Sequence, residues 1–160
     1  MARSGSFGGN TKRTWTGTDL QSLPAKLGDI ASDTDGEYMF VRATATVAQY
    51  AFVLINDSFG ATETSGASTI VQHVGVAQVA AATNEYLWVW IGGPAGGGVG
   101  KGVRGKIAAS YVANTPLLTT ATSGVADDAG STTIKNVSAT TLTTGAASVE
   151  LKSTGYLTLN

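Results

Sequence analysis

A chain of 160 residues without cysteine, in which Ala, Thr, Gly and Ser make up half of all residues and 13% are charged, has few of the side chains that catalysis and metal binding use. Its net charge of −1 lacks the excess of Lys and Arg that nucleic-acid binding needs, so we expect no nucleic-acid partner. No apolar run approaches the ~20 residues of a membrane-spanning helix, and from its N-terminal residues we expect no secretory signal. We therefore expect no membrane partner and synthesis in a cytoplasm.

Residues 1–28 are predicted to form an extended N-terminal arm, and residues 29–160 a single domain. The arm carries isolated aromatic and cationic side chains that follow neither a strand nor a helix period. Its candidate interface residues are Arg3, Phe7, Lys12, Arg13 and Trp15. Because an exposed Trp is unfavourable, we expect Trp15 to dock either on its own domain or on a neighbouring molecule.

From residue 37 onward the apolar residues recur with a period of 2, which predicts β-strands. In the first strand Met39, Val41 and Ala43 share one face, and polar residues follow on the other. Further strands are predicted at residues 49–56, 69–80 and 85–91, with a turn at 57–60. A short loop separates the last two strands, so we expect them to form a hairpin.

Residues 92–105 contain eight glycines, which predicts a long flexible loop because glycine has no side chain to pack and loses the most backbone entropy on ordering. Later strands are predicted at residues 103–109, 116–119, 132–138, 147–152 and 156–159. Eight or nine short strands and no long helix predict an all-β fold, a single antiparallel β-sandwich or barrel.

The strand at residues 85–91 leaves no face for water, because Tyr86, Trp88 and Trp90 share one side and aliphatic residues share the other. Large aromatic side chains also anchor many protein interfaces. These three residues therefore belong either to an ordinary core or to a subunit contact, and the sequence leaves both alternatives open. The low charged fraction, compared with ~25% in a typical domain, favours a homo-oligomer or a contact within a larger protein lattice.

Three patterns that could carry chemistry are weak. Residues 100–105 match G-x-G-x-x-G, but a strand rather than the required helix is predicted after them. His73 is the only histidine and has no Cys to share a metal with. Residues 33–37 hold three carboxylates, but Asp-Gly before a strand is ordinary turn chemistry. We therefore expect no cofactor, no metal and no catalytic residue.

Four segments together resemble the small head decoration (cement) proteins of tailed bacteriophages. They are GVAQVA at residues 75–80, WVWIGG at 88–93, TSGVAD at 122–127 and a short hydrophobic strand near 149–151. The resemblance implies a β-barrel or β-tulip-like fold, a dimer or trimer, and a seat over the junctions between major capsid protein subunits. It implies no catalytic residues.

The expected function is thus that of a non-enzymatic virion protein. It would be made in the host cytoplasm, bind the outer surface of the assembled capsid and bridge major capsid protein subunits. Its expected contact residues are the five of the arm together with Tyr86, Trp88 and Trp90. The alternative is a surface-recognition protein, such as a tail or fibre component or a carbohydrate-binding module. An enzyme is the third hypothesis, with His73 as its base.

Overall fold

The computed structural model of the protein describes residues 12–17, 23–66, 73–94, 96–98, 100–140 and 148–160. These residues form twelve β-strands and no α-helix, so the predicted all-β class is confirmed. The strands are β1 (Thr14–Trp15), β2 (Ile30–Asp33), β3 (Gly36–Ala43), β4 (Phe52–Ile55), β5 (Gly60–Glu63), β6 (His73–Ala77), β7 (Tyr86–Gly92), β8 (Arg104–Gly105), β9 (Leu117–Thr119), β10 (Ala126–Asp127), β11 (Thr133–Ala139) and β12 (Val149–Leu159). The described part of the chain contains no helix with the length and hydrophobicity needed to cross a membrane.

Five of the strands close into a barrel. β3 pairs with β7 on one side and with β5 on the other, β5 pairs with β4, β4 with β6, and β6 returns to β7. The predicted hairpin of β6 and β7 is therefore present. One pairing in this circuit, between β3 and β5, is parallel. The sheet is mixed, which corrects the expectation that it would be purely antiparallel.

Small aliphatic side chains fill the barrel. The buried residues of this inner core include Val41, Ala43, Val47, Ala51, Val53, Ile55, Ala61, Ala77, Leu87 and Val89. A five-stranded barrel has a narrow interior because barrel diameter grows with strand number. At Gly75 a Cβ atom would lie 2.8 Å from Cγ2 of Val89, so the space is already full. The abundance of Ala and Gly thus has a packing reason here.

A second, larger core lies outside the barrel. On β3 and β7 the alternate residues Tyr38, Phe40, Trp88 and Trp90 point outward and are buried. A layer that contains β9, β10, β11 and β12 contributes the opposing apolar residues Leu117, Ile134, Leu151 and Leu157. β3 and β7 therefore separate an inner aliphatic core from an outer aromatic core. This arrangement explains why β7 has no polar face.

β12 is one strand of eleven residues, although the sequence predicted separate strands at 147–152 and 156–159. It stays continuous because β11 pairs with it from Leu151 to Leu159 around a bulge. At the bulge Asn136 has a φ of 63°, and its side-chain amide donates to the Tyr156 carbonyl at 2.9 Å. The predicted strand at 103–109 is also shorter in the structure, where only Arg104–Gly105 forms a strand.

The first half of the glycine-rich segment is hydrogen-bonded rather than flexible as predicted. The Gly97 amide donates to the Asp35 carbonyl at 2.6 Å, and the Gly98 amide donates to the Leu151 carbonyl at 2.7 Å. A Cβ atom at Gly97 would overlap the Leu151 carbonyl oxygen. Glycine is needed here because the backbone at Asp35 and the backbone at Leu151 both approach this segment closely. At Gly100 and Gly102, by contrast, a Cβ atom would meet open space.

Candidate interaction surface

The root of the N-terminal arm is part of the sheet. β1 pairs antiparallel with the first residues of β7, Thr14 opposite Leu87 and Trp15 opposite Tyr86. Farther along β7, from Val89, the same edge is taken by β6. The Trp15 side chain is 6% exposed. Trp15 therefore docks on its own domain, the first of the two alternatives that the sequence left open.

An aromatic cluster holds this root in place. The Trp15 ring meets Phe40 edge-on, with ring centroids 5.7 Å apart and planes at 71°. Phe40 also stacks on Tyr86 at 6.0 Å and contacts Trp88 at 5.1 Å. The Arg13 guanidinium lies 5.6 Å from the Trp15 ring centroid, within cation–π distance. The structure thus brings four of the predicted interface residues together, with Phe40, which the sequence did not single out, at the centre.

Trp88 and Trp90 belong to the chain's own outer core, being 1% and 0% exposed. Trp90 also anchors the turn between β2 and β3, because its indole Nε1 donates to the Asp35 carbonyl at 2.9 Å. Both side chains are buried without a second subunit. Of the two alternatives that the sequence left open, an ordinary core and a subunit contact, the structure therefore shows the core for these two residues. Tyr86 is only partly buried and remains the one of the three that a partner can reach.

The described part of the predicted arm lies against the domain. Leu23, Ala25 and Leu27 pack on the outer core, and Lys12 and Arg13 are exposed next to the buried Trp15. Arg3 and Phe7 lie outside the residues that the structure describes. The described residues of the predicted arm are therefore held at the domain through Trp15, Leu23, Ala25 and Leu27.

A shallow depression of about 530 Å³ lies next to the arm root. It is lined by Leu23, Pro24, Ala25, Lys26, Leu27, Asp29 and Tyr86. The exposed part of the Tyr86 ring is thus flanked by one cation and one carboxylate. A partner surface or a polar ligand could contact all three side chains there.

The β2–β3 hairpin forms a second exposed surface, which the sequence analysis did not identify. Ile30 on β2 is 47% exposed, although it is a large aliphatic residue. Tyr156 on β12 is 45% exposed, and its hydroxyl donates to Glu37 Oε2 at 2.6 Å. This hydrogen bond, followed by partial desolvation and the charge of Glu37, raises the pKa of Tyr156 above its usual value of 10.0. No periodicity or motif in the sequence indicates that Ile30 and Tyr156 are exposed.

The weak chemical candidates do not assemble into a site in the part of the chain that the structure describes. There, no group of three or more His, Cys, Asp and Glu side chains is placed to hold a metal ion. His73 is exposed at the end of β6, with Ile55 and Thr158 as its neighbours in the sheet. The carboxylate of Asp33 accepts from the Thr34 amide, and that of Asp35 accepts from the Tyr38 hydroxyl. These are ordinary turn interactions.

Comparisons of this chain with protein-family models, with curated protein sequences and with solved structures find no match. Its function therefore has to be inferred from the surfaces described above.

Proposed function

We propose that this chain is a non-enzymatic structural protein of a tailed-phage virion, which binds the outside of the assembled capsid and bridges neighbouring major capsid protein subunits. The observation that carries the proposal is the fixed root of the N-terminal segment. Trp15 ties that segment to a closely packed barrel, with exposed cations next to it. A closely packed barrel to which an N-terminal segment is anchored is well suited to joining two neighbouring surfaces.

The composition of the N-terminal segment and its root supports a binding role. Residues 1–18 contain Arg3, Lys12 and Arg13 and no carboxylate. A tethered segment of this kind gains from effective concentration, because once the barrel is bound the segment searches only the nearby surface. Two modest contacts then give a stable attachment.

Stabilisation of the capsid would follow from mass action. A protein that binds the assembled, expanded shell and not the free subunits lowers the free energy of the assembled state. Many copies on one shell add their contributions. No chemical step is needed, and the resemblance noted in the sequence implies none.

Binding to shells tests this proposal directly. The purified chain is mixed with expanded shells, and separately with unexpanded precursor shells, of the tailed phage that encodes it, and each mixture is sedimented. We expect saturable binding to the expanded shell alone. Failure to pellet with either shell would contradict the proposal.

A surface-recognition protein is the second candidate, and the depression beside Tyr86 favours it. A partly exposed aromatic ring flanked by Lys26 and Asp29 offers both a stacking surface and polar groups, as sugar-binding sites require. The discriminating experiment measures binding of the wild-type chain to host polysaccharide without capsids, with Tyr86→Ala as the comparison. Binding that Tyr86→Ala abolishes would favour this second candidate.

A further inference from the structure

An open groove of about 380 Å³ lies where β11 and β12 meet the turn that precedes β9. It shares no lining residue with the depression beside Tyr86, so the two are separate sites. Most of its lining residues have hydroxyl, amide or ammonium side chains, among them Asn114, Lys135, Asn136, Ser138, Lys152 and Thr154. This lining indicates a polar ligand.

The bulge on β11 adds a side chain to the groove. In an ordinary strand successive side chains alternate between the two faces of the sheet. At the bulge Asn136 has a φ of 63°, and the consecutive residues Lys135 and Asn136 are both exposed. The Asn136 amide is also held in place, since it donates to the Tyr156 carbonyl at 2.9 Å. Bulges often redirect a side chain at a functional site, and this one brings Asn136 into the groove next to Lys135.

The turn before β9 is held in position as well. The buried Tyr111 donates its hydroxyl to the Thr115 carbonyl at 2.8 Å, and the Thr115 hydroxyl donates to the Val112 carbonyl at 2.6 Å. Within this turn Asn114 has a φ of 65°, a conformation that a residue other than glycine keeps only where its surroundings hold it. Both parts of the groove are therefore preorganised, which lowers the entropic cost of binding a ligand.

Lys135 and Lys152 make the groove cationic. No Asp or Glu is among the described residues that line it, and on β12 the nearby carboxylate of Glu150 accepts from the Gly100 amide at 3.2 and 3.3 Å. Lys152 lies opposite Ser138 in the sheet, three residues along β11 from Lys135. At ~3.3 Å per residue the two lysines are about 10 Å apart along the strand. Two cations at this separation match a chain with repeated negative charges better than one small anion.

The chemistry of the lining favours a carbohydrate over a protein or a nucleic acid. Protein interfaces are enriched in Tyr, Trp, Phe, Met and Arg and depleted of Lys and Ser, which is the reverse of the described lining. The same lining has no aromatic ring on which a base could stack. Hydroxyl and amide groups, by contrast, can both donate to and accept from the hydroxyls of a sugar.

We infer that this groove binds an acidic polysaccharide. Lys135 and Lys152 contact the carboxylates of successive acidic sugars, while Asn136 and the hydroxyl side chains of the groove bind the sugar hydroxyls. The cations select a charged chain, and the amide and hydroxyl groups select a sugar among charged chains.

Titration calorimetry at low salt tests the class of ligand. The probes are an oligomer of galacturonic acid and an oligomer of sialic acid, each with one carboxylate per sugar. The control ligand is the methyl ester of the galacturonic acid oligomer, which keeps the sugar and loses the charge. We expect saturable binding of at least one acidic oligomer, and no saturable binding of the ester. No binding of either acidic oligomer, equal binding of the ester, or equally tight binding of hexaglutamate would overturn the inference, the last because the groove would then select charge alone.

Substitution of the lysines tests whether the groove is the binding site. The double variant Lys135→Gln/Lys152→Gln should bind the acidic oligomer at least about tenfold more weakly than wild type, because both charge contacts are lost. Lys101→Gln is the matched control, since Lys101 is also exposed but does not line the groove. We expect it to bind like wild type, and both variants to melt at the wild-type temperature. Wild-type affinity in the double variant, or an equal loss in Lys101→Gln, would overturn the inference.

A carboxylate placed in the groove gives a second test that leaves both lysines in place. Ser138 lies opposite Lys152 and is only partly buried. Ser138→Asp and Ser138→Asn introduce side chains of nearly the same size that differ in charge, and thermal unfolding checks that both variants fold. The Asp variant should bind the acidic oligomer at least about tenfold more weakly than the Asn variant. Equal affinities of the two variants would overturn the inference.

These measurements use the purified chain without capsids. Their outcome is therefore independent of whether the chain binds a shell, and either proposal can fail without the other.

Discussion

Trp15 determines where the N-terminal segment meets the domain. Two residues of backbone pairing are too few to hold a strand, so most of the stabilisation of β1 comes from the Trp15 ring against Phe40 and its neighbours. The sequence predicted that this Trp would be buried but could not indicate where. Its partners come from β3 and β7, which lie more than twenty residues farther along the chain.

Replacing Trp15 by alanine should therefore destabilise the whole domain. Loss of a buried aromatic side chain costs about 3 kcal/mol, since both transfer free energy and packing are lost. Urea unfolding measures the free energy of unfolding. The comparison variant is Arg13→Gln, which removes the cation–π contact and should cost less than ~1 kcal/mol. Wild-type stability of Trp15→Ala would show that β1 does not dock as described.

Tyr156 should titrate later than an ordinary tyrosine. Its hydroxyl donates to Glu37, and ionisation would break that bond and place two negative charges together, which is why its pKa is raised. Ultraviolet absorbance during alkaline titration should therefore contain a late component that Tyr156→Phe loses. In Glu37→Gln the Tyr156 pKa should fall towards 10.0, because the neutral amide is a weaker acceptor and carries no charge.

The same pKa shift has a defined effect on stability. A proton held more tightly in the folded state stabilises that state below the unfolded pKa of about 10, and this contribution is lost as pH rises through the higher folded pKa. The stability difference between wild type and Tyr156→Phe should therefore be constant near neutral pH and shrink in alkali. A difference that grows with pH would contradict the assigned hydrogen bond.

At the level of elements, strands with a clear period were predictable and short ones were not. Two strands, β3 and β7, have a pattern that the sequence shows. In β3 the apolar residues recur with a period of 2, and β7 is apolar on both faces. β1, β8 and β10 have two residues each, too few to show a period, and exist only because a neighbouring strand is present. β12 was predicted as two strands because Gly155 interrupts its pattern. The bulge at Asn136, which accommodates that position, lies on another strand.

The glycine-rich segment combines packed and open positions, and substitution should separate them. Gly97 and Gly102 have φ angles of 64° and 80°, so alanine is strained at both. At Gly102 we expect only this strain, about 1 kcal/mol. At Gly97 the added Cβ also overlaps the Leu151 carbonyl, and the loss should reach about 3 kcal/mol or more. Thermal unfolding of the two variants measures the difference, and equal losses would mean that the segment is not packed on β12.

For the whole molecule, composition indicated the class but not the closure of the sheet. A chain rich in Ala, Gly and Thr with many short strands points to an all-β fold. The parallel pairing of β3 with β5 and the return of β6 to β7 depend on contacts between distant residues, which no local pattern records. The groove beside β11 and β12 follows from that same topology. It could not be found before the strand order was known.

Residues 2–11 can be removed without touching Trp15, which anchors the N-terminal segment. A deletion that extends to residue 16 would also remove β1, so that a loss of shell binding could not be separated from a loss of stability. We expect the shorter deletion to retain the wild-type melting temperature and to weaken binding to expanded shells. The matched control replaces residues 2–11 by a Gly-Ser segment of equal length, which should bind as weakly as the deletion. If either variant bound expanded shells as well as wild type does, the prediction would be wrong, and the barrel alone would account for the attachment.

The most direct measurement is the number of copies of this chain per virion, obtained by mass spectrometry and electron microscopy of the particles that contain it. A decoration protein should be present at a simple fraction of the major capsid protein, with density that repeats over the shell lattice. A few copies at a vertex or on the tail, or absence from the particle, would contradict the account.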